Sequence, residues 1–253
     1  MTVRYAFLDC EGPIAFAHRG GASEAPENTM PAFQYAVDLG YHYVETDVHA
    51  TSDGVLLAFH DSKLDRVTNR TGIIREMPYS EVSKALVDGR EPIPRFEELL
   101  VAWPFLRINI DPKKDNAVAP LIACLKQHKA IDRVCIGAFS DRRLDVIRAA
   151  LGPALCTSAG PLETGRLLAA SKGLPLPIPT NIGAAQVPIK QGPVTIVDER
   201  FVSFIHARKL QVHVWTIDDA AEMSDLLDLG VDGIMTDRPA VLRDVFTQRG
   251  LWS

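Results

Sequence analysis

Residues 134–159 read VCIGAFSDRRLDVIRAALGPALCTSA, and this stretch decides the fold. Val134 to Phe139 is an apolar run of strand length. Ser140 stands where a helix N-cap belongs, since its hydroxyl accepts from a free amide of the first turn. Leu144, Ile147 and Leu151 follow at the three- and four-residue spacing of one helix face. Leu155 to Ala159 opens a second apolar run. Strand, helix and strand in this order make a parallel unit, because parallel neighbours need a crossover of about a dozen residues or more.

The same rhythm extends in both directions. Ile14 to His18 is a strand ending in His-Arg-Gly-Gly, followed by a helix capped at Thr29, with Pro31 in its first turn, Phe33, Ala36 and Val37 on its apolar face and Gly40 as its stop. Tyr43 to Val48 is the second strand. Thr51 to Gly54 signals a tight turn, and Val55 to Phe59 follows too closely for a crossover, so it reads as an antiparallel excursion. Arg107 to Asp111 is a strand, with Val118, Leu121, Ile122 and Leu125 marking the next helix. After residue 159 come a helix near Glu163 to Ser171, a strand at Ala184 to Pro188, and a helix carrying Phe201, Phe204 and Ile205. A strand at Gln211 to Thr216, a helix with Met223, Leu226 and Leu227, a strand at Gly233 to Thr236 and a helix opened by Pro239 complete the chain. Gly173 to Thr180, with Pro175, Pro177 and Pro179 in alternation, is a loop and not a linker, because the rhythm continues past it.

Eight such repeats in 253 residues give an α/β fold, a (β/α)8 TIM barrel in a single domain, residues 1–253 with the core at about 14–246. The excursion between His60 and Arg107 is modest. An open doubly wound sheet would want a GxGxxG first turn, which Gly20-Gly21 does not supply.

Composition is that of an ordinary globular chain, 47% apolar and 23% charged. The net charge of −5 excludes a general nucleic-acid binder, which needs clustered Lys and Arg. No apolar run reaches the roughly 18 residues of a membrane span. Met1 to Glu11 lacks a leader's apolar core and reads as unprocessed. Cys10, Cys124, Cys135 and Cys156 have no metal or redox spacing and read as buried thiols in a reducing, cytoplasmic setting.

In a barrel the chemistry sits at the carboxyl ends of the strands, and the polar residues there are few. The first strand ends in His18-Arg19, the second carries Glu45 and Asp47, the excursion ends in His60-Asp61, and the third strand ends in Asp111-Pro-Lys113. Glu45 and Asp47, two apart, share a face. Burying both is costly unless a cation relieves the repulsion. With Asp111 they offer three carboxylates, which suit Mg2+ or Ca2+ rather than zinc. The competing reading pairs the acids with arginines. His18 and His60 can divide the proton transfers of a displacement, one as base and one as acid. Arg19, as a fork donor, and Lys113, as a point charge, suit a phosphoryl group. His42, His49, His128, His206 and His213 read as structural or exposed.

From about Ala15 to Leu242 the chain resembles the glycerophosphodiester phosphodiesterases. The blocks are His18-Arg-Gly-Gly21 with Pro26-Glu-Asn-Thr29, Glu45-Thr-Asp-Val48, and Asp53-Gly54 leading to His60-Asp61, Leu64 and Arg66. Ile93-Pro94 to Leu100, Ile110-Asp-Pro-Lys113, Val214-Trp-Thr-Ile217 and Gly230-Val-Asp-Gly-Ile-Met-Thr-Asp237 follow in order. Asp111 stands where the family usually carries the longer glutamate, and sphingomyelinase D-like phospholipases also place an acid two residues before a lysine. The resemblance implies metal-dependent hydrolysis of a small-molecule phosphodiester to glycerol phosphate and an alcohol. It assigns His18 and His60 as the acid/base pair, Glu45, Asp47 and Asp111 to the metal, and Arg19 and Lys113 to the phosphate. It also implies that Glu27 and Asn28 support the first loop or contact the site, and that Trp215 lines the substrate pocket. Gln186, at the end of the sixth strand, is added here as a polar pocket contact.

Two other readings stay open. A phospholipase D-like or lyase activity on a lysophospholipid or sphingolipid would want an apolar rim, for which Leu174, Leu176 and Ile178 are candidates. A non-catalytic barrel could bind a phosphorylated ligand, and a metal-dependent enolising enzyme would want a different lysine base.

Overall fold

The computed structural model describes residues 4–252, so Met1–Val3 of the amino-terminal stretch discussed above lie outside the described residues. All eight expected barrel strands are present: β1 (Ile14–His18), β2 (Tyr43–Ala50), β3 (Arg107–Pro112), β4 (Val134–Ile136), β5 (Cys156–Thr157), β6 (Ala184–Val187), β7 (Gln211–Val214) and β8 (Gly233–Thr236). They pair in parallel and in chain order, with β8 beside β1. The Ser158–Ala184 bridge and the Gly183 amide, 2.8 Å from the Thr157 carbonyl, bring β6 alongside β5 and close the barrel.

The helices are α1 (Met30–Asp38), α2 (Phe96–Ala102), α3 (Val118–Gln127), α4 (Asp141–Leu151), α5 (Pro161–Ser171), α6 (Glu199–His206), α7 (Ala220–Leu229) and α8 (Pro239–Gln248). Thr29 and Ser140 cap as expected, accepting from the Ala32 and Arg143 amides. Leu144, Ile147 and Leu151 of α4 are buried, which is the face their spacing predicted.

Strand alternation sorts the side chains. Ala15 and Ala17 of β1, Val44 and Val48 of β2, and Ile108 and Ile110 of β3 face the helices. Ile14 and Phe16 face the lumen, with Tyr43, Cys135, Cys156 and Met235. A short amino-terminal turn, Ala6–Leu8, seals the lower end: Tyr5, Phe7 and Leu8 join that inner cluster, and Phe7 meets Tyr43 edge-on at 5.3 Å. All four cysteines are free, two buried and two half-buried.

Leu56–Ala58 pairs antiparallel with β2, as the short spacing required. The rest of the segment up to Arg107 is more built than its sequence indicated. A helical turn at Tyr79–Val82 and a two-stranded ribbon, Leu86–Val87 with Glu91–Pro92, surround their own apolar cluster of Leu57, Phe59, Leu64, Ile74, Val82, Ala85, Val87 and Ile93. A second ribbon, Lys190–Gln191 with Val194–Thr195, follows β6.

Candidate active site

Register assembles the site. His18 lies opposite Glu45, Glu45 opposite Asn109, and Asp47 opposite Asp111, all toward the upper end of neighbouring strands. The turn after β1 depends on glycine: Gly20 has φ +82°, and a Cβ there would lie 2.8 Å from the Ala32 backbone. That tight turn directs the Arg19 amide at Glu45 Oε2, 3.3 Å away.

These groups line one side of a cavity of about 630 Å3, and His18, Arg19, Glu45, Asp47, His60, Asp111 and Lys113 all reach it. The two histidines are held alike. His18 Nδ1 is 2.7 Å from Asp237 Oδ1, and His60 Nδ1 is 2.6 Å from Asp61 Oδ1. A carboxylate on Nδ1 fixes the tautomer and leaves Nε2 for the reaction. Burial alone would lower the His18 pKa, but Glu45, 3.6 Å from Nε2, and Asp237 outweigh it, and the value is raised.

Asp47 is buried among cations. Lys113 Nζ is 2.8 Å from its Oδ1, Arg19 Nε is 3.1 Å from its Oδ2, and the Asn28 amide donates to Oδ2. Burial opposes its charge, yet Lys113 and Arg19 hold its pKa below the usual value. Asp111 goes the other way: burial raises it although Lys113 lies 3.0 Å from Oδ2. Glu45 is pushed up to about 8 by burial and then by Asp47.

Glu45, Asp47 and Asp111, expected to hold a metal, line one cavity from neighbouring strands, with Lys113 beside the two aspartates. Among the described residues no group of three His, Cys, Asp or Glu side chains is arranged to hold a metal ion. The reason is local: the Lys113 ammonium lies between Asp47 and Asp111 and takes up their charge. The donor chemistry does fit a hard cation. Every candidate ligand atom is a carboxylate oxygen, and Asp111 Oδ1 is buried without a partner.

Trp215 and Gln186 line the cavity as expected, and Gln186 donates to Asn109 Oδ1 at 2.9 Å. Glu27, expected to support the first loop or to contact the substrate pocket, does the first and not the second: its carboxylate is engaged by Arg19 and Arg66 and does not line the cavity. The proline-rich loop is also displaced from its expected place. Helices return the chain to the amino ends of the strands, so residues 173–180, between α5 and β6, lie at the opposite end of the barrel and none of them lines the cavity. The apolar wall comes instead from Phe139, Leu168, Val187, Pro188, Val194 and Ile196.

Two residues of the site were given no role by the sequence. Asp237 follows the last strand directly, so its position just past an apolar run was a usable signal. Asn109, two before Asp111, shares its face by alternation. His49, read from the sequence as structural or exposed, is buried and structural, its Nε2 3.0 Å from the His60 carbonyl.

Comparison with known proteins agrees with this geometry. Residues 18–241 match the model of the glycerophosphoryl diester phosphodiesterase family, and the chain belongs to that family. It is accordingly a phosphoric diester hydrolase. It is 40% identical to the Mycobacterium tuberculosis protein named probable glycerophosphodiester phosphodiesterase 2, over 97% of this chain and 95% of that one. It is 28% identical to a human lysophospholipase D, over 90% of this chain and 84% of the relative. A phosphodiesterase of Oleispira antarctica, solved in complex with the product sn-glycerol-3-phosphate, superposes with a TM-score of 0.78 at 24% identity, covering 93% of this chain and 97% of that one. No helix among the described residues is long and apolar enough to cross a membrane.

Proposed function

We propose that the chain hydrolyses a glycerophosphodiester to glycerol phosphate and an alcohol, with His18 and His60 as the acid/base pair. The observation that carries this is the matched pair of carboxylate-anchored imidazoles on one cavity that also holds Arg19 and Lys113. The sn-glycerol-3-phosphate bound to the Oleispira relative supports the substrate class.

One imidazole takes the proton of the nucleophile, a water or the substrate's neighbouring hydroxyl, as its oxygen bonds to phosphorus; the P–O bond to the alcohol breaks, and the other imidazole protonates the leaving oxygen, water opening the cyclic phosphate where the substrate's own hydroxyl attacked. Arg19 and Lys113 face the phosphate oxygens as charge builds on them. Glu45, Asp47 and Asp111 would hold a divalent cation, Mg2+ or Ca2+. Such an ion, when bound, supplies Lewis-acid stabilisation of phosphoryl oxygens. The four free cysteines support a reducing, cytoplasmic setting.

A panel of glycerophosphodiesters, assayed with and without divalent cation and read by released alcohol, tests this reading. Metal-dependent release of alcohol and glycerol phosphate is expected. Ligand binding without product would point to a non-catalytic barrel.

A second reading, cleavage of a lysophospholipid, is favoured by one observation: the apolar wall from β4 to β7 continues directly from the phosphate end of the cavity. Turnover of a lysophosphatidylcholine against glycerophosphocholine separates the two.

A further inference from the structure

We propose that Arg66 is a positioning residue that sets His60 and Arg19 together, through one guanidinium shared between two carboxylates. This rests on the roles given to His60 and Arg19 above.

Arg66 lies outside the barrel strands, on the segment between β2 and β3, beside the buried Leu64. Its Nε donates to Asp61 Oδ2 at 2.6 Å and its Nη2 to Asp61 Oδ1 at 3.1 Å. The same guanidinium donates from Nη1 to Glu27 Oε2 at 2.9 Å and from Nη2 to Glu27 Oε1 at 2.6 Å. Each carboxylate then holds one residue of the site. Asp61 Oδ1 meets His60 Nδ1 at 2.6 Å, and Glu27 Oε1 accepts from Arg19 Nη1 at 3.1 Å. An unbroken chain of charge-assisted bonds runs from His60 through Asp61, Arg66 and Glu27 to Arg19.

His60 and Arg19 sit on loops after different strands, and their separation decides whether a phosphate can meet both. A planar fork fits two carboxylates at once, whereas lysine offers a single point charge. Arg66 is half exposed, with 46% of its side chain accessible, so its ion pairs add little to stability. Their effect is geometric: the hydrogen bonds from Arg66 draw the Asp61 carboxyl down to about 2, so it remains an acceptor for His60 across the working range. A groove of about 600 Å3, lined by Glu27, Thr68, Asn69 and Arg90, opens beside the guanidinium. A small cation can therefore reach the place that Arg66 would vacate.

The test is steady-state cleavage of glycerophosphocholine by the full chain. Arg66→Ala should lower kcat by about 10–100-fold, the scale for removing a group that orients a catalytic residue, and raise KM. Free guanidinium chloride at low millimolar concentration should restore much of the rate, and Arg66→Lys should stay impaired. On an Asp61→Asn background, Arg66→Ala should cost less kcat than it does in wild type, the remainder being the arm through Glu27 to Arg19. Arg90→Ala, in the same groove but touching neither carboxylate, should behave as wild type. If alanine prevents folding, Arg66→Gln gives the same readings. A rate within about twofold of wild type, or a loss that guanidinium leaves untouched and that adds fully to Asp61→Asn, overturns the proposal. Full activity of His60→Ala and Arg19→Ala would instead overturn the reading on which it rests.

Discussion

His18 Nδ1 lies 2.7 Å from Asp237 Oδ1, so the histidine of the first strand is oriented by the carboxylate that follows the last. The contact crosses the β1–β8 seam and spans almost the whole sequence. Asp237→Ala should lower kcat by about 10–100-fold with KM nearly unchanged, because the imidazole loses its fixed tautomer while phosphate contacts remain. The pH profile should move as well. Burial depresses the His18 pKa, and Glu45 and Asp237 together outweigh it. Without Asp237 the balance shifts toward burial, so the limb governed by His18 moves to lower pH. An unshifted profile at full rate would remove Asp237 from the site.

Divalent cation should be readable without turnover. EDTA should silence the enzyme, and Mg2+ or Ca2+ should revive it and raise the melting temperature, since a ligand bound only by the folded chain stabilises it. Asp111→Asn should abolish most of that thermal shift, because Asp111 contributes the unpartnered buried oxygen. Equal melting temperatures with and without cation in the wild type would contradict the carboxylate assignment.

His213 should shape the acid limb of stability. It is fully buried in the barrel, and burial lowers its pKa to about 3. The unfolded chain regains an ordinary value near 6.5 and so binds the extra proton between about 6.5 and 3. Stability therefore falls as pH drops through that window. His213→Gln, with no proton to gain, should flatten this part of the denaturation curve taken at successive pH values. An unchanged slope would show that His213 does not couple folding to protons.

The apolar wall gives a specificity prediction. Val194 lines the cavity from an exposed ribbon, and Leu174 is exposed at the far end of the barrel. Val194→Asp should reduce turnover of a lysophosphatidylcholine more than that of glycerophosphocholine. Leu174→Asp should change neither. The reverse pattern would return the apolar rim to the proline-rich loop.

The barrel was legible because each strand is a short apolar run and each helix carries a periodic face. Ser140 and Thr29 announced their caps by chemistry alone. The acid and histidine positions were legible for a related reason: a charged residue at the end of an apolar run is an anomaly. What escaped was set by distance and by end. Asp237 finds His18 219 positions away, and only the closed barrel brings them together. Leu174 and Leu176 had a suitable character at the wrong end, because a loop after a helix faces away from the site. The ribbon of Leu86–Val87 with Glu91–Pro92 has two residues per strand, too few for alternation to show.

The central claim is that two anchored imidazoles perform the proton transfers of phosphodiester cleavage. The most direct measurement is the rate of choline and glycerol phosphate release from glycerophosphocholine by wild type, His18→Ala and His60→Ala, each checked for its fold by circular dichroism. A loss of at least about 100-fold in kcat for each folded variant is predicted, the scale of removing a general acid or base. Near wild-type rates from either folded variant would contradict the account.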